Sequence, residues 1–153
     1  MNIFLLDNHD SFTWNLVELL RRAGKGTTIV MTPEEFTFND LQHTGGIIFS
    51  PGPGLPSEHP LMALLLAEME ARKMRQQPVL PVLGVCLGMQ AMAVRYGATL
   101  VNLPEPAHGK PAKLSLLNAS HPLFRGIPDG SPVGLYHSWA VDRVALPACF
   151  EPL

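Results

Sequence analysis

Residues 78–94, PVLPVLGVCLGMQAMAV, set one cysteine between two glycines at the end of an apolar run. Free cysteine is among the side chains most often found inside proteins, so Cys86 taken alone reads as a small buried hydrophobe. Its neighbours open a second reading. Gly84-Val85-Cys86-Leu87-Gly88 has glycine two residues before the sulfur and two after it. A nucleophile elbow has this form, because the chain turns from strand to helix so sharply that side chains at those two places would collide. At the first turn of the following helix, Cys86 would feel the positive helix end, which favours thiolate over thiol.

An elbow also needs donors for the oxyanion that forms on attack: the backbone N–H after the nucleophile and a second from a neighbouring loop. Leu87 supplies the first. For the second, Ser50-Pro51-Gly52-Pro53-Gly54 ends an adjacent strand candidate, and glycine lets backbone N–H groups approach a ligand with no Cβ in the way. A Pro-Gly-Pro-Gly run by itself is also a rigid turn. Gln90 lies one helical turn beyond Cys86 on the same face, where its amide could bond a substrate; a surface glutamine in a helix is the plainer reading.

These segments need a scaffold, and the apolar pattern supplies one. NIFLL (2–6) reads as a strand that ends in DNHDS. Ser11 is a candidate N-cap for a helix from Phe12 to about Ala23, with Phe12, Leu16, Leu19 and Leu20 on one side and Gly24 and Gly26 closing it. TTIVM (27–31) and GGIIFS (45–50) read as strands, residues 59–77 as a helix, PVLPVLGV (78–85) as a strand and 87–97 as a helix. Strands alternating with helices predict an α/β fold with a mostly parallel sheet covered on both faces, and ligands in such sheets bind at the carboxyl ends of the strands. DNHDS, SPGPG and VCLG all fall at that edge. Beyond residue 100 the pattern weakens; AKLSLL (112–117) and VGLYHS (133–138) read as antiparallel additions, followed by a proline-rich tail.

A length of 153 residues fits one domain with a sizeable core. A formal net charge of −2 with 16% charged residues argues against a general nucleic-acid or acidic-membrane binder. Two cysteines, Cys86 and Cys149, are no disulfide framework, and the start MNIFLLDNHD lacks a basic leader segment. The longest unbroken apolar run, Leu61 to Ala67, is far short of the ~18 residues of a membrane span. A cytoplasmic setting is the expectation, with no metal-binding motif.

Five segments occur in order along nearly the whole chain: DNHDSFTWNL (7–16), SPGPGLPSE (50–58), PVLGVCLGMQ (81–90), HGK (108–110) and YHSWAV (136–141). Together they resemble the class I, or triad-type, glutamine amidotransferases, most closely the glutaminase subunit of anthranilate synthase and its relative in para-aminobenzoate synthesis. The resemblance implies a flavodoxin-like three-layer sandwich. It implies Cys86 as nucleophile, Gly52 and Leu87 as oxyanion donors, and Gly52, Pro53, Gly54, Gln90, Ser138 and Trp139 as the glutamine-binding residues. The chemistry implied is attack of the thiolate on L-glutamine, a γ-glutamyl thioester, and release of glutamate and ammonia. The ammonia passes to a chorismate-using synthase subunit; no cofactor is implied in this subunit, and magnesium in the partner.

The family carries its histidine base and orienting acid in a His-Pro-Glu segment downstream of the YHS motif, and no such run is present here. The expectation is a single amidotransferase domain, truncated before that segment, with little activity and with core strands removed. Among the other histidines, His137 is expected to be structural, His9 a loop residue at the site edge, and His43, His59 and His121 turn or helix-start positions. Leu135 and Trp139 stand where arginine and leucine are common in the family. His108-Gly109-Lys110 is either a solvated turn or, by resemblance, near the synthase interface. Two readings from other classes stand beside the enzyme: a non-catalytic interaction module that lacks the base, and a different cysteine-elbow enzyme such as a thioesterase, which leaves SPGPG and YHSW without a purpose.

Overall fold

Asn2–Leu6 form β1, which breaks off where Asp7 opens the polar loop. In this computed structural model, which describes residues 2–24 and 26–153, the chain divides into two compact units, one up to Arg95 and the other Tyr96–Leu153.

In the first unit β1 lies between β2 (Thr27–Met31) and β3 (Thr44–Phe49), with β4 (Val82–Gly84) beyond β3, and every pairing is parallel. Helix α1 (Thr13–Ala23) joins β1 to β2, and α2 (Pro60–Met74) joins β3 to β4. These two crossovers step in opposite directions along the order β2-β1-β3-β4. Parallel crossovers are right-handed, so the two helices cover opposite faces and make a three-layer α/β unit with flavodoxin-like order. Helix α3 (Leu87–Arg95) follows β4 and is tied to α2 by the Arg95–Glu70 ion pair. Alternation along the strands sends Phe4, Leu6, Ile47 and Phe49 to one face, where they pack with Met62, Leu65, Leu66 and Met69 of α2 and Leu87 and Ala91 of α3. Leu5 and Ile48 point to the other face and are also buried. No helix among the described residues is long and apolar enough to cross a membrane.

The second unit holds β5 (Leu100–Lys113) and β6 (Pro132–Val141), an antiparallel pair forming its own two-stranded sheet.

Several expected boundaries are corrected. The predicted strand over 78–85 shrinks to Val82–Gly84, since Pro78 and Pro81 carry no N–H to donate; Pro81 still accepts a bond from Ile47 N at 2.9 Å. Of the predicted strand over 112–117 only Ala112 and Lys113 are strand, the far end of β5, which begins at Leu100; Leu114 to Leu117 lie outside it. The expected turn at His108-Gly109-Lys110 is a bulge within β5, with Gly109 at φ +68 and the register shifting across it. Ser11 does not cap α1. The cap position is Phe12, with no side-chain bond, and Asp10 does the work: its backbone carbonyl accepts from Thr13 N and its carboxylate from Phe12 N at 2.8 Å. Of the expected apolar side of α1, Leu16 and Leu20 are half-buried, while Phe12 and Leu19 are exposed.

Candidate active site

The strand order reverses direction between β1 and β3, and the crevice outside their carboxyl ends is where α/β sheets bind ligands. The loops leaving β1, β3 and β4 are DNHDS, SPGPG and VCLG, so the fold brings the three predicted segments to one edge of one sheet.

Cys86 sits between β4 and α3 with φ +52, a left-handed conformation rare for a residue with a side chain. The sharpness of this bend explains both glycines. A Cβ on Gly84 would lie 2.4–2.5 Å from the Gly88 carbonyl group and Met89 N, and a Cβ on Gly88 would lie 2.5 Å from the Cβ and carbonyl oxygen of Phe49. Val85 N donates to Phe49 O at 3.0 Å and Gly88 N to Val85 O at 3.0 Å, which pins the turn to β3. The sulfur is partly buried, neither sealed in the core nor fully exposed.

Gly52 meets the elbow directly. A Cβ there would fall 2.5 Å from Leu87 Cδ2 and 2.8 Å from Asn8 Cβ, so the proline-glycine loop lies against the residue that follows the cysteine. Prolines 51 and 53 have no N–H, and among the described residues Gly52 N–H donates to no protein group. Leu87 N–H reaches the Cys86 sulfur. Gln90 is 5% exposed, buried rather than on the surface, and its backbone N donates to Cys86 O at 2.9 Å. Gly54 takes φ +71 with Glu58 close beside it. His59, which heads α2, donates from Nε2 to Pro53 O at 2.8 Å.

One electrostatic expectation is overturned. Burial pushes the Cys86 thiol above its ordinary value; the Leu87 N–H bond pulls it down, and the negative charge of Asp10 pushes it up again, leaving the net direction upward. The start of α3 does not make a ready thiolate. Alkylation of Cys86 by a small neutral reagent such as iodoacetamide is therefore expected to accelerate with rising pH into the alkaline range, and Asp10→Asn to accelerate it at neutral pH. Mass-spectrometric rates across pH check both signs; a rate already flat at neutral pH contradicts them.

Ser138 and Trp139 lie on β6 of the second unit. Ser138 Oγ is 3.4 Å from His108 Nε2 within the hairpin, and Trp139 is in register with Asn102. His137 donates from Nδ1 to Trp139 O at 3.0 Å. Of the remaining histidines, His9, at φ +60 in its loop, pairs with Glu34 at 3.2 Å; His43 ends a 3-10 turn and His121 heads another.

Sequence reasoning passed over Asn8, Ser50 and Asp10. Asn8 and Ser50 are fully buried and bonded to each other, and their signal was a short polar residue within two positions of the end of each apolar strand, where a solvated loop would start.

Comparison with known proteins fits this geometry. The family model for glutamine amidotransferase class-I matches residues 4–153. The pyocyanine-specific anthranilate synthase component 2 of Pseudomonas aeruginosa is 41% identical over 157 residues, covering all of this chain and 73% of its own length. Aminodeoxychorismate synthase component 2 of Escherichia coli K12 is 35% identical over 151 residues, covering 97% of this chain and 75% of its own. In fold, a glutamine amidotransferase crystal structure from Thermotoga maritima superposes with a TM-score of 0.70 at 16% identity, over 93% of this chain and 62% of that one. With the model matching both units and relatives above 30% identity matched over most of their length, the chain belongs to the class I glutamine amidotransferase family and is of the anthranilate synthase and aminodeoxychorismate synthase component II type.

Proposed function

We propose that this chain binds L-glutamine at the Cys86 elbow, forms a γ-glutamyl thioester there, and serves a component I synthase subunit that adds the released ammonia to chorismate, giving anthranilate for tryptophan synthesis. Cys86 attacks the carboxamide carbon, Gly52 N–H and Leu87 N–H hold the developing oxyanion, ammonia leaves, and water cleaves the thioester to glutamate. Pro53, Gly54 and Gln90 contribute to the glutamine pocket, and magnesium belongs to the partner.

One observation carries the reading: the left-handed Cys86 stands at a glycine-walled bend with Gly52, whose N–H has no protein acceptor among the described residues, packed on Leu87. Gly52 is half-buried, and a backbone N–H left free of protein acceptors beside a sulfur is placed to donate to an oxygen of a ligand.

A thiol raised by burial needs a base to take its proton. In the first unit His9 is engaged by Glu34 and His59 by a backbone carbonyl, and Leu87 N–H is the one partner found for the Cys86 sulfur among the described residues. That supports a second reading, a chain that binds glutamine and its partner but turns over slowly by itself. The pathway alternative is para-aminobenzoate synthesis.

Mixing the chain with an anthranilate synthase component I, and separately with an aminodeoxychorismate synthase component I, tests the reading. Glutamine-dependent product with the first alone is expected. Product with the second alone moves the assignment to para-aminobenzoate, and glutamine trapping without product in either mixture favours the binding module.

A further inference from the structure

Asn8 is fully buried behind the proline-glycine loop, and its bonds run almost wholly to that loop's first residue. Its backbone N–H donates to Ser50 Oγ at 2.9 Å, and its side-chain Nδ2 donates to Ser50 O at 3.1 Å and meets Met62 Sδ at 3.6 Å. Ser50 in turn donates from N to Leu6 O at 3.1 Å and from Oγ to Pro51 O at 2.6 Å. The two residues carry the β1–β3 ladder one step past its last paired rung, Leu6 with Phe49, and into the loop. The loop needs such help because Pro51 and Pro53 cannot donate.

Gly52 follows two residues later. A Cβ on it would strike Leu87 Cδ2 at 2.5 Å and Asn8 Cβ at 2.8 Å, and come within 3.2 Å of Asn8 O. Asn8 and Leu87 therefore both close on the face of Gly52 where a side chain would stand, so the packing that seats Gly52 against Leu87 includes Asn8.

A second feature sets Asn8 apart from a residue kept for stability. Its Oδ1 is buried with no hydrogen-bond partner among the described residues. The donor bond to Ser50 O fixes which way the amide faces, and leaves the carbonyl end without a donor. A stranded buried acceptor destabilises, and an apolar side chain of similar size would avoid it. The folded chain carries that cost at Asn8, and such costs gather where geometry serves chemistry.

We propose that Asn8 is the positioning residue of the oxyanion site: clamped to Ser50, it sets where Gly52 N–H stands relative to Leu87 N–H. The inference rests on the reading of Cys86 and Gly52 above. Asn8 acts through the loop, since its side chain is closed to any ligand.

The test uses two electrophiles on the whole chain. A glutamine-like diazo-ketone must seat its carbonyl between the two N–H groups before Cys86 attacks; iodoacetamide needs the sulfur alone. In Asn8→Ala the maximal rate of Cys86 labelling by the diazo-ketone is expected to fall about 10- to 100-fold, as small misplacements at reacting centres do, with its half-saturating concentration and the iodoacetamide rate both within about threefold. Ser50→Ala removes the bond from Asn8 N to Ser50 Oγ and that from Ser50 Oγ to Pro51 O and leaves the main chain, so it is expected to slow the diazo-ketone in the same direction, and it carries the test where Asn8→Ala does not fold. Equal diazo-ketone rates in wild type and a folded variant overturn the role of Asn8 while leaving Cys86 as nucleophile intact. Loss of half-saturation instead of maximal rate also overturns it. Wild type that is not labelled selectively at Cys86 overturns both readings.

Discussion

Cys86→Gly is expected to remove all covalent chemistry with glutamine and still give a more stable protein than Cys86→Ala. Both substitutions delete the sulfur, so component I-dependent use of glutamine should drop by about 10^3-fold or more, the scale on which nucleophile loss acts. They differ in the backbone. At φ +52 a Cβ crowds the following carbonyl, a penalty of about 1 kcal/mol that alanine keeps and glycine loses. In a domain of this size that difference is worth about 2–4 °C in Tm. Thermal melts of the two variants side by side measure it. An alanine variant as stable as the glycine variant would mean that the bend holds no strain, and that the cysteine is there for packing.

The second large effect is at Gly88. Its missing Cβ leaves room for Phe49, whose own Cβ and carbonyl oxygen would lie 2.5 Å from an added methyl. Phe49 is fully buried and its carbonyl is already bonded to Val85 N, so neither side can yield cheaply. Gly88→Ala must push α3 away from β3, at a cost of about 3 kcal/mol, the upper end for overpacking. The same displacement carries Leu87 off Gly52, so glutamine-directed labelling of Cys86 should disappear even in conditions where the variant is folded. Urea melts with paired labelling rates test the two consequences together. Gly84→Ala meets backbone atoms of Gly88 and Met89 and is expected to behave alike.

What could be read from residue order tracks where local rules and tertiary packing agree. β1 and β2 fall where the apolar runs place them, at 2–6 and 27–31, and the helix after Pro60 starts at a proline that suits a first helical turn. The elbow was legible because a steric requirement writes itself as two glycines at fixed offsets. β5 was not. Pro104, Pro106, Pro111 and Gly109 within LVNLPEPAHGKPAK suppress the strand signal before Ala112, and the segment is held instead by pairing to β6 across two register shifts. The wrong cap had a similar cause: Ser11 has the right chemistry for an N-cap, but Asp10, fixed through its N–H to Asp7 at 3.2 Å, already occupies the donors. The thiol moved against the helix-end argument because that argument counted a nearby dipole and left out burial. Asn8 and Ser50 were invisible as a pair, since 42 residues separate them and only the β1–β3 adjacency brings them together.

The most direct measurement of the central claim is the site of covalent capture by a glutamine-like diazo-ketone, read by peptide mass spectrometry on the intact chain at neutral pH. Cys86 and Cys149 are both free thiols, and Cys149 is the more exposed, so ordinary accessibility favours Cys149. A built glutamine site reverses that order: Cys86 should be captured first and saturably, L-glutamine should protect it, and Cys149 should lag. Capture of both cysteines at one slow rate, or faster at Cys149 with no protection by glutamine, would contradict the account.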